Sequence, residues 1–337
     1  MTARGWFLFS LMGVVWGVPY LLIKVAVDEV SPSGVVFARC ALGALLLLPF
    51  ALRRPGMANT VRTHWKPMLA FAVIEIVGPW YTLTDAERHL SSSTAGLLIA
   101  GVPIVGVLLS LPHSRLRSSG GTPIFGATES LGPRRVTGLA LGLGGVGVLT
   151  LPHLTGGDAL SLAEVLVTVV GYATAPLIAD RHLKGVPTLH LITPCLALAA
   201  LVYAPAAVAS RPAALPSAGA LTALAALGVV CTAVAFVAFL ELIKEAGPIR
   251  ASVITYVNPA IAVAAGAVFL DEPLSATVLA AFALILTGSV LATAAAPKPR
   301  SRRVPWSARQ TSRADGRVES LAGLPEERPG STGQGDG

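Results

Sequence analysis

Apolar runs of roughly twenty residues recur along this chain, separated by short gaps that hold most of its charge. Twenty residues of α-helix, at 1.5 Å each, cross about 30 Å, the hydrocarbon thickness of a bilayer. So many long uncharged runs could not all be hidden from water inside a soluble fold. Composition agrees. The chain is 53% hydrophobic and 13% charged, with mean hydropathy +0.70, where a soluble domain carries about 25% charged residues.

The runs predict ten spanning helices, at roughly 6–27, 33–52, 66–84, 91–112, 136–152, 160–180, 188–208, 217–240, 251–270 and 274–296. The first continues past Lys24 to about Val27 without a small-residue cleavage site, so it reads as a spanning helix rather than a removable leader. Residues 297–337 are rich in Pro, Gly, Ser, Arg and Glu, and a disordered tail is expected there.

Basic residues decide orientation, because Lys and Arg collect on cytoplasmic loops. With a cytoplasmic N-terminus, the inside segments before the tail hold Arg4, Arg53, Arg54, Arg62, Lys66, Arg115, Arg117, Arg134, Arg135, Arg181, Lys184, Lys244 and Arg250. The outside loops hold Arg88 and Arg211, a ratio of thirteen to two. Both termini are therefore expected in the cytoplasm of a multi-pass plasma (inner) membrane protein. The formal charge of +7 is thereby explained without nucleic acid. Lys298 to Arg303 follows the last run, where it meets anionic lipid headgroups.

Several chemistries are excluded. Cys40, Cys195 and Cys231 all lie inside apolar runs, which argues against a disulfide framework or a thiolate metal site. There is no His-Glu-x-x-His pair, Gly-rich phosphate loop or Walker lysine. No cofactor, no metal and no catalytic residue is expected, and the chain does not read as an enzyme or an ATP-driven pump.

The chain also repeats itself. Placing Pro103 on Pro259 puts Arg88 on Lys244, Ala95 on Ala251 and Leu97 on Val253 without gaps. Glu129-Ser-Leu131 then matches Glu272-Pro-Leu274, once thirteen extra residues near 113–128 are read as a cytoplasmic insertion. The expected halves are 1–152 and 153–296. Each has five spans, and since five is odd the second half enters the membrane upside down. Glu129 is then cytoplasmic and Glu272 extracytoplasmic. Inverted repeats are the architecture of secondary transporters, whose halves exchange conformations around a central site.

With these marks in place, the sequence resembles the drug/metabolite transporter superfamily, specifically its EamA-type members. The resemblance is carried by Trp16-Gly17 with Lys24, by Pro32 with Arg39 ahead of a run ending Leu48-Pro49, and by Ala95 to Pro103. Glu129-x-Leu131, Asn258-Pro259 and Asp271-Glu272-Pro273-Leu274 complete it. It covers about residues 5–296 and departs from the pattern at the insertion and at Thr128, where such proteins commonly show Gly. What it implies is a ten-helix all-α membrane fold with a central cavity. It further implies alternating-access movement of small metabolites, often efflux of amino acids or related compounds.

Candidate binding residues follow from helix chemistry. Proline in a spanning helix frees a carbonyl, and matched breaks in both halves point to a site. Pro103 and Pro259 match, and Pro19 and Pro176 sit at corresponding places. Trp16, Tyr20 and Lys24 recur every four residues on one helix face, as do Glu164, Thr168 and Tyr172. Glu75 lies near the centre of helix three, followed by Trp80 and Tyr81, and helix nine offers Thr255 and Asn258. An ionisable side chain at membrane centre costs at least about 2.5 kcal/mol, which makes Glu75 a functional residue by default. It either pairs with a cation or exchanges a proton. Lys24 and Arg39 either line the cavity or snorkel to the interface. Gly138-x-x-x-Gly142 is a close-packing signal, from which a homodimer does not follow. The expected partners are thus a small-molecule substrate and membrane lipids, with a coupling proton and a homodimer left open. The rival readings are a flippase for a lipid or lipid-linked substrate and, further off, an intramembrane enzyme.

Overall fold

The computed structural model describes residues 2–110, 133–156, 158–246, 254 and 256–293. Among these the chain is helical, without a strand. Each of the ten apolar runs contains helix, numbered here α1 to α10. Four are built from pieces. Helix α1 joins Ala3–Gly17 to Pro19–Val27, and α3 joins Met57–Ala72 to Gly78–Ala86 through a wide π turn, Val73–Val77. Helix α4 joins Ser92–Ile99 to Val102–Ser110, and α8 joins Ala218–Gly228 to Ala235–Ala246 through a second π turn, Val229–Val234. The others are α2 (Pro32–Leu52), α5 (Pro133–Gly156), α6 (Ala159–His182), α7 (Thr188–Ala209), α9 (Asn258–Phe269) and α10 (Ala276–Thr293). Seven of these helices (α1–α4 and α6–α8) are long and apolar enough to cross a membrane, while the apolar stretches of α5, α9 and α10 are shorter.

Where the helices start is written in the sequence. Thr2, Ser31, Ser91 and Ser217 each turn a side-chain oxygen onto the backbone N–H three residues on, satisfying a donor the first turn leaves free. Pro32 fits the next position because its missing N–H has no role there. Where they bend is also prescribed. Helix segments restart at Val18-Pro19, Val102-Pro103 and Asn258-Pro259.

Some boundaries differ from the sequence reading. Helix α3 begins at Met57 rather than 66, with a kink at His64 (φ −112°, ψ 18°). That first stretch carries Arg62 before the kink and exposed Trp65 beyond it, so its polarity hides it from a search for apolar runs. Helix α5 is longer than expected, because Arg134 and Arg135 extend it beyond its apolar part. Pro176 does not break α6, which runs through it continuously. The insertion at 113–128, Thr128, Glu129, Thr255 and the tail at 297–337 lie outside the described residues.

Small residues set the packing. Gly138, Gly142 and Gly145 of α5 lie against Gly288, Ala292 and Ile285 of α10 so closely that a Cβ at Gly138 or Gly288 would strike main-chain atoms of the facing helix. The Gly-x-x-x-Gly signal is thus used inside the chain. Gly13 and Gly17 bring α1 onto Val257 and Ile261, and Gly96 brings α4 onto Ala262. The largest buried cluster joins Cys40, Ala44 and Leu47 of α2 to Ile76 and Trp80 of α3 and to Cys195, Leu196 and Ala199 of α7. In contrast, Phe7, Leu45, Leu166, Leu201 and Val268 are exposed, at 59–72% of their surface. Large apolar side chains facing outward on helix after helix suit lipid as the surrounding solvent.

Candidate functional site

The two π turns open toward one polar cluster. A π turn widens the helix by one residue and leaves carbonyls in need of donors. In α3, Pro79 lacks an N–H just beyond the turn, and Tyr203 of α7 donates its hydroxyl to the Val77 carbonyl at 2.7 Å. In α8, Thr232 donates its hydroxyl to the Leu227 carbonyl at 2.8 Å. The same Thr232 oxygen accepts a hydrogen bond from Arg39 Nε at 3.1 Å. Arg39, on α2, lays its guanidinium over the Trp80 ring, 3.7 Å from the centroid. A desolvated cation–π contact of this kind is worth about 2 kcal/mol or more.

Around Arg39 the remaining members gather. Tyr172 of α6 stands beside Trp80 and within electrostatic reach of both Arg39 and Glu75. Tyr20 of α1 is buried and also feels Arg39. Glu75 sits in the α3 π turn, half-buried. Among the described residues the ion pairs are Arg4–Glu241 and Arg88–Asp85. Arg39 therefore has no carboxylate within ion-pair distance among them. Its terminal nitrogens form a planar fork of donors suited to a carboxylate or phosphate.

A second polar locus lies where α3 ends and α4 begins. Lys24 of α1 donates to the main-chain carbonyls of Glu87 at 2.6 Å and Arg88 at 3.5 Å. Helix α9 closes on Asp271, whose φ of 53° is the left-handed turn that ends helices. The Leu270 and Glu272 N–H groups then both meet the Gly266 carbonyl. This turn directs Glu272 onto α4, where it accepts from the N–H groups of Ser92 (2.7 Å) and Ser93 (2.9 Å) and from the Ser93 hydroxyl. A carboxylate at a helix N-terminus is favoured by the free donors and the dipole.

The sequence-selected residues divide as follows. Tyr20, Glu75, Trp80 and Tyr172 come together around Arg39. Lys24 belongs to the second locus, where its ammonium holds the main-chain carbonyls of Glu87 and Arg88. Trp16 packs elsewhere, its ring 4.7 Å from Phe239 and 6.5 Å from Phe236 of α8. The break at Val18 parts Trp16 from Tyr20 and Lys24 despite their four-residue spacing. Pro103 and Pro259 are buried at the starts of helical segments. Asn258 opens α9 with its buried Oδ1 lacking a hydrogen-bond partner. In α6, Thr168 hydrogen-bonds Thr82 (2.8 Å) and donates to the Pro79 or Glu164 carbonyl, stitching α6 to α3. Glu164 faces Asp85. Sequence reasoning missed Thr232, Tyr203 and Glu87. Thr232 and Tyr203 are isolated polar groups inside apolar runs, a usable signal, whereas Glu87 beside Arg88 and His89 looks like ordinary loop charge.

A family model described as the EamA-like transporter family matches residues 3–113 and 159–294. The chain belongs to that family. It is an integral, multi-pass membrane protein and a membrane transporter. Among relatives of this EamA-like transporter is "Uncharacterized inner membrane transporter YedA" of Escherichia coli (strain K12). It is 26% identical over 288 residues, covering 85% of this chain and 89% of the relative. Another is "Uncharacterized transporter YvbV" of Bacillus subtilis (strain 168), 24% identical over 289 residues, covering 84% and 90%. An "Uncharacterized transporter" of Archaeoglobus fulgidus is 22% identical over 292 residues, covering 85% and 97%. A solved crystal structure shares the fold with a TM-score of 0.61 and 20% identity, covering 87% of this chain and 98% of that one.

Proposed function

We propose that this chain is a secondary transporter moving a small metabolite, an amino acid or related compound, outward across the plasma (inner) membrane by alternating access. The observation that carries the reading is Arg39: a guanidinium on an apolar helix long enough to cross a membrane, stacked on Trp80 and held by Thr232, with no acidic partner among the described residues. A substrate carboxylate is the complement of that fork. Glu75 would take the substrate ammonium or a proton, with Tyr172 between the two charges and Trp80 and Tyr20 forming the walls. The outward direction rests on the resemblance to EamA-type exporters.

The topology in this proposal is ten membrane crossings in two inverted halves, with both termini cytoplasmic. The thirteen-to-two distribution of basic residues supports it. So does the register of the breaks: the offset that lays Pro103 on Pro259 also lays Val102 on Asn258 and the π turn at Val73 on that at Val229. The family model's match in two stretches is further support.

A lipid-like substrate is the second reading, favoured by an open crevice of about 320 Å³ between α4, α5 and α6. Its lining, including Leu98, Ile104, Leu143, Leu162 and Leu166, is apolar apart from Thr150 and offers no charge to a headgroup. Reconstitution into vesicles with a panel of amino acids and small metabolites, with and without a proton gradient, separates the two. Accumulation of an amino acid that R39Q abolishes is the expected result. Accumulation of none, together with phospholipid scrambling, would replace this proposal by the flippase.

A further inference from the structure

Glu87 is a fully buried acid whose carboxyl makes no hydrogen bond. It follows the last turn of α3 and is 0% exposed. The fully buried Ser92 hydroxyl is likewise unpartnered. Every element packed around Glu87 contributes a charge or a titratable group: Lys24 and Tyr20 from α1, Arg39 from α2, and Glu272 from the turn after α9. The cations do not close on it. Lys24 donates instead to main-chain carbonyls, and Arg39 to Thr232. Glu272 has its carboxyl oxygens already occupied by two backbone N–H groups and a hydroxyl. A buried carboxylate without donors and facing a second carboxylate is costly. One added proton removes the charge and supplies a donor.

We propose that Glu87 is a proton-binding site: its carboxyl carries a proton in the arrangement seen here, where it is sealed from water, and releases it to water when the α3–α4 end of the bundle opens. The bond broken is carboxyl O–H, the proton goes to water, and the carboxylate left behind is stabilised by Lys24 and Arg39 once hydrated. The cycle would then exchange one proton for each opening at this end. Only that consequence rests on the transporter reading, because proton occupancy is measurable without knowing the substrate.

Infrared difference spectroscopy of the full chain in liposomes, as pH is raised, tests the assignment. The expected result is a protonated-carboxyl carbonyl band that disappears on alkalinisation and has a component missing from E87Q but present in E75Q and E29Q. E87Q should melt at or above the wild-type temperature in detergent, since glutamine keeps the shape without the charge. A titrating band that is the same in E75Q/E87Q as in E75Q alone, or one that never titrates, overturns the proposal. So does failure of E87Q to fold, which would make the charge structural. A sodium-induced band shift at constant pH, absent from E87Q, would replace the proton by sodium. Failure of every transport assay with the band intact would count against the transporter reading and leave this one standing.

Discussion

A guanidinium on an apolar helix is tolerated only where its charge and its donors are both used, and Arg39 uses the Trp80 face and the Thr232 hydroxyl without exhausting its fork. Lysine keeps the charge but loses the planar geometry. R39K should therefore lower the initial transport rate in vesicles by about tenfold or more, the equivalent of about 1.4 kcal/mol. An unchanged rate would remove Arg39 from the substrate site. E75Q should lower the transport rate and alter its pH profile, leaving the part carried by Glu87; unchanged rate and unchanged pH profile would exclude proton exchange at Glu75. Outside the spans, Glu29 accepts from the Ser217 hydroxyl and backbone N–H, and these bonds hold its carboxyl below the usual glutamate range. A lowered folded-state value stabilises the protein above the ordinary glutamate pKa, and that contribution fades as pH falls through the folded value. Melting curves in detergent should show a smaller difference between wild type and E29Q as the medium is acidified through that window. A constant difference would mean that the bond to Ser217 adds nothing.

At the level of elements, the seam between α5 and α10 is the most demanding contact, because backbones rather than side chains meet there. G288V or G138V should destabilise the folded protein by about 1–3 kcal/mol, the usual cost of overpacking. G144V, with open space around its Cβ position, should leave the melting temperature in place. Equal effects at the two kinds of position would show that the seam is looser than described. The apolar helices, seven of them long enough to cross a membrane, were readable from sequence because bilayer thickness asks for a long uncharged run wherever a helix crosses. The breaks at Pro19, Pro103 and Pro259 were readable because proline removes a donor. Pro176 shows the limit, since neighbouring turns can absorb a missing N–H and keep a helix whole. The π turns left no mark that composition could reveal. Within the candidate site, Tyr20, Glu75, Trp80 and Tyr172 stood out as polar or aromatic groups set deep in apolar runs. Trp16 shared their signature and packs elsewhere. Glu87 was hidden because its burial depends on Lys24, Ser92 and Glu272, which are far from it along the chain or gain meaning only once folded.

For the molecule as a whole, the proposed topology makes a direct prediction. Single cysteines introduced at Gly56 and Gly185, both in turns with positive φ and open space, should react with a membrane-impermeant thiol reagent from the same face. Cysteines at His89 and Arg211 should react from the opposite one. Labelling of all four from one side would overturn the inverted arrangement. The wide turns of α3 and α8 give that arrangement a mechanical meaning. Each holds one surplus residue, and passing it along the helix would swivel everything beyond by roughly 100°. Glu75 rides on one such turn and Thr232 on the other. The grip on Arg39 thus has a slack link on each side, and in the proposed inverted arrangement each half would carry a loose turn that it can tighten without breaking a helix.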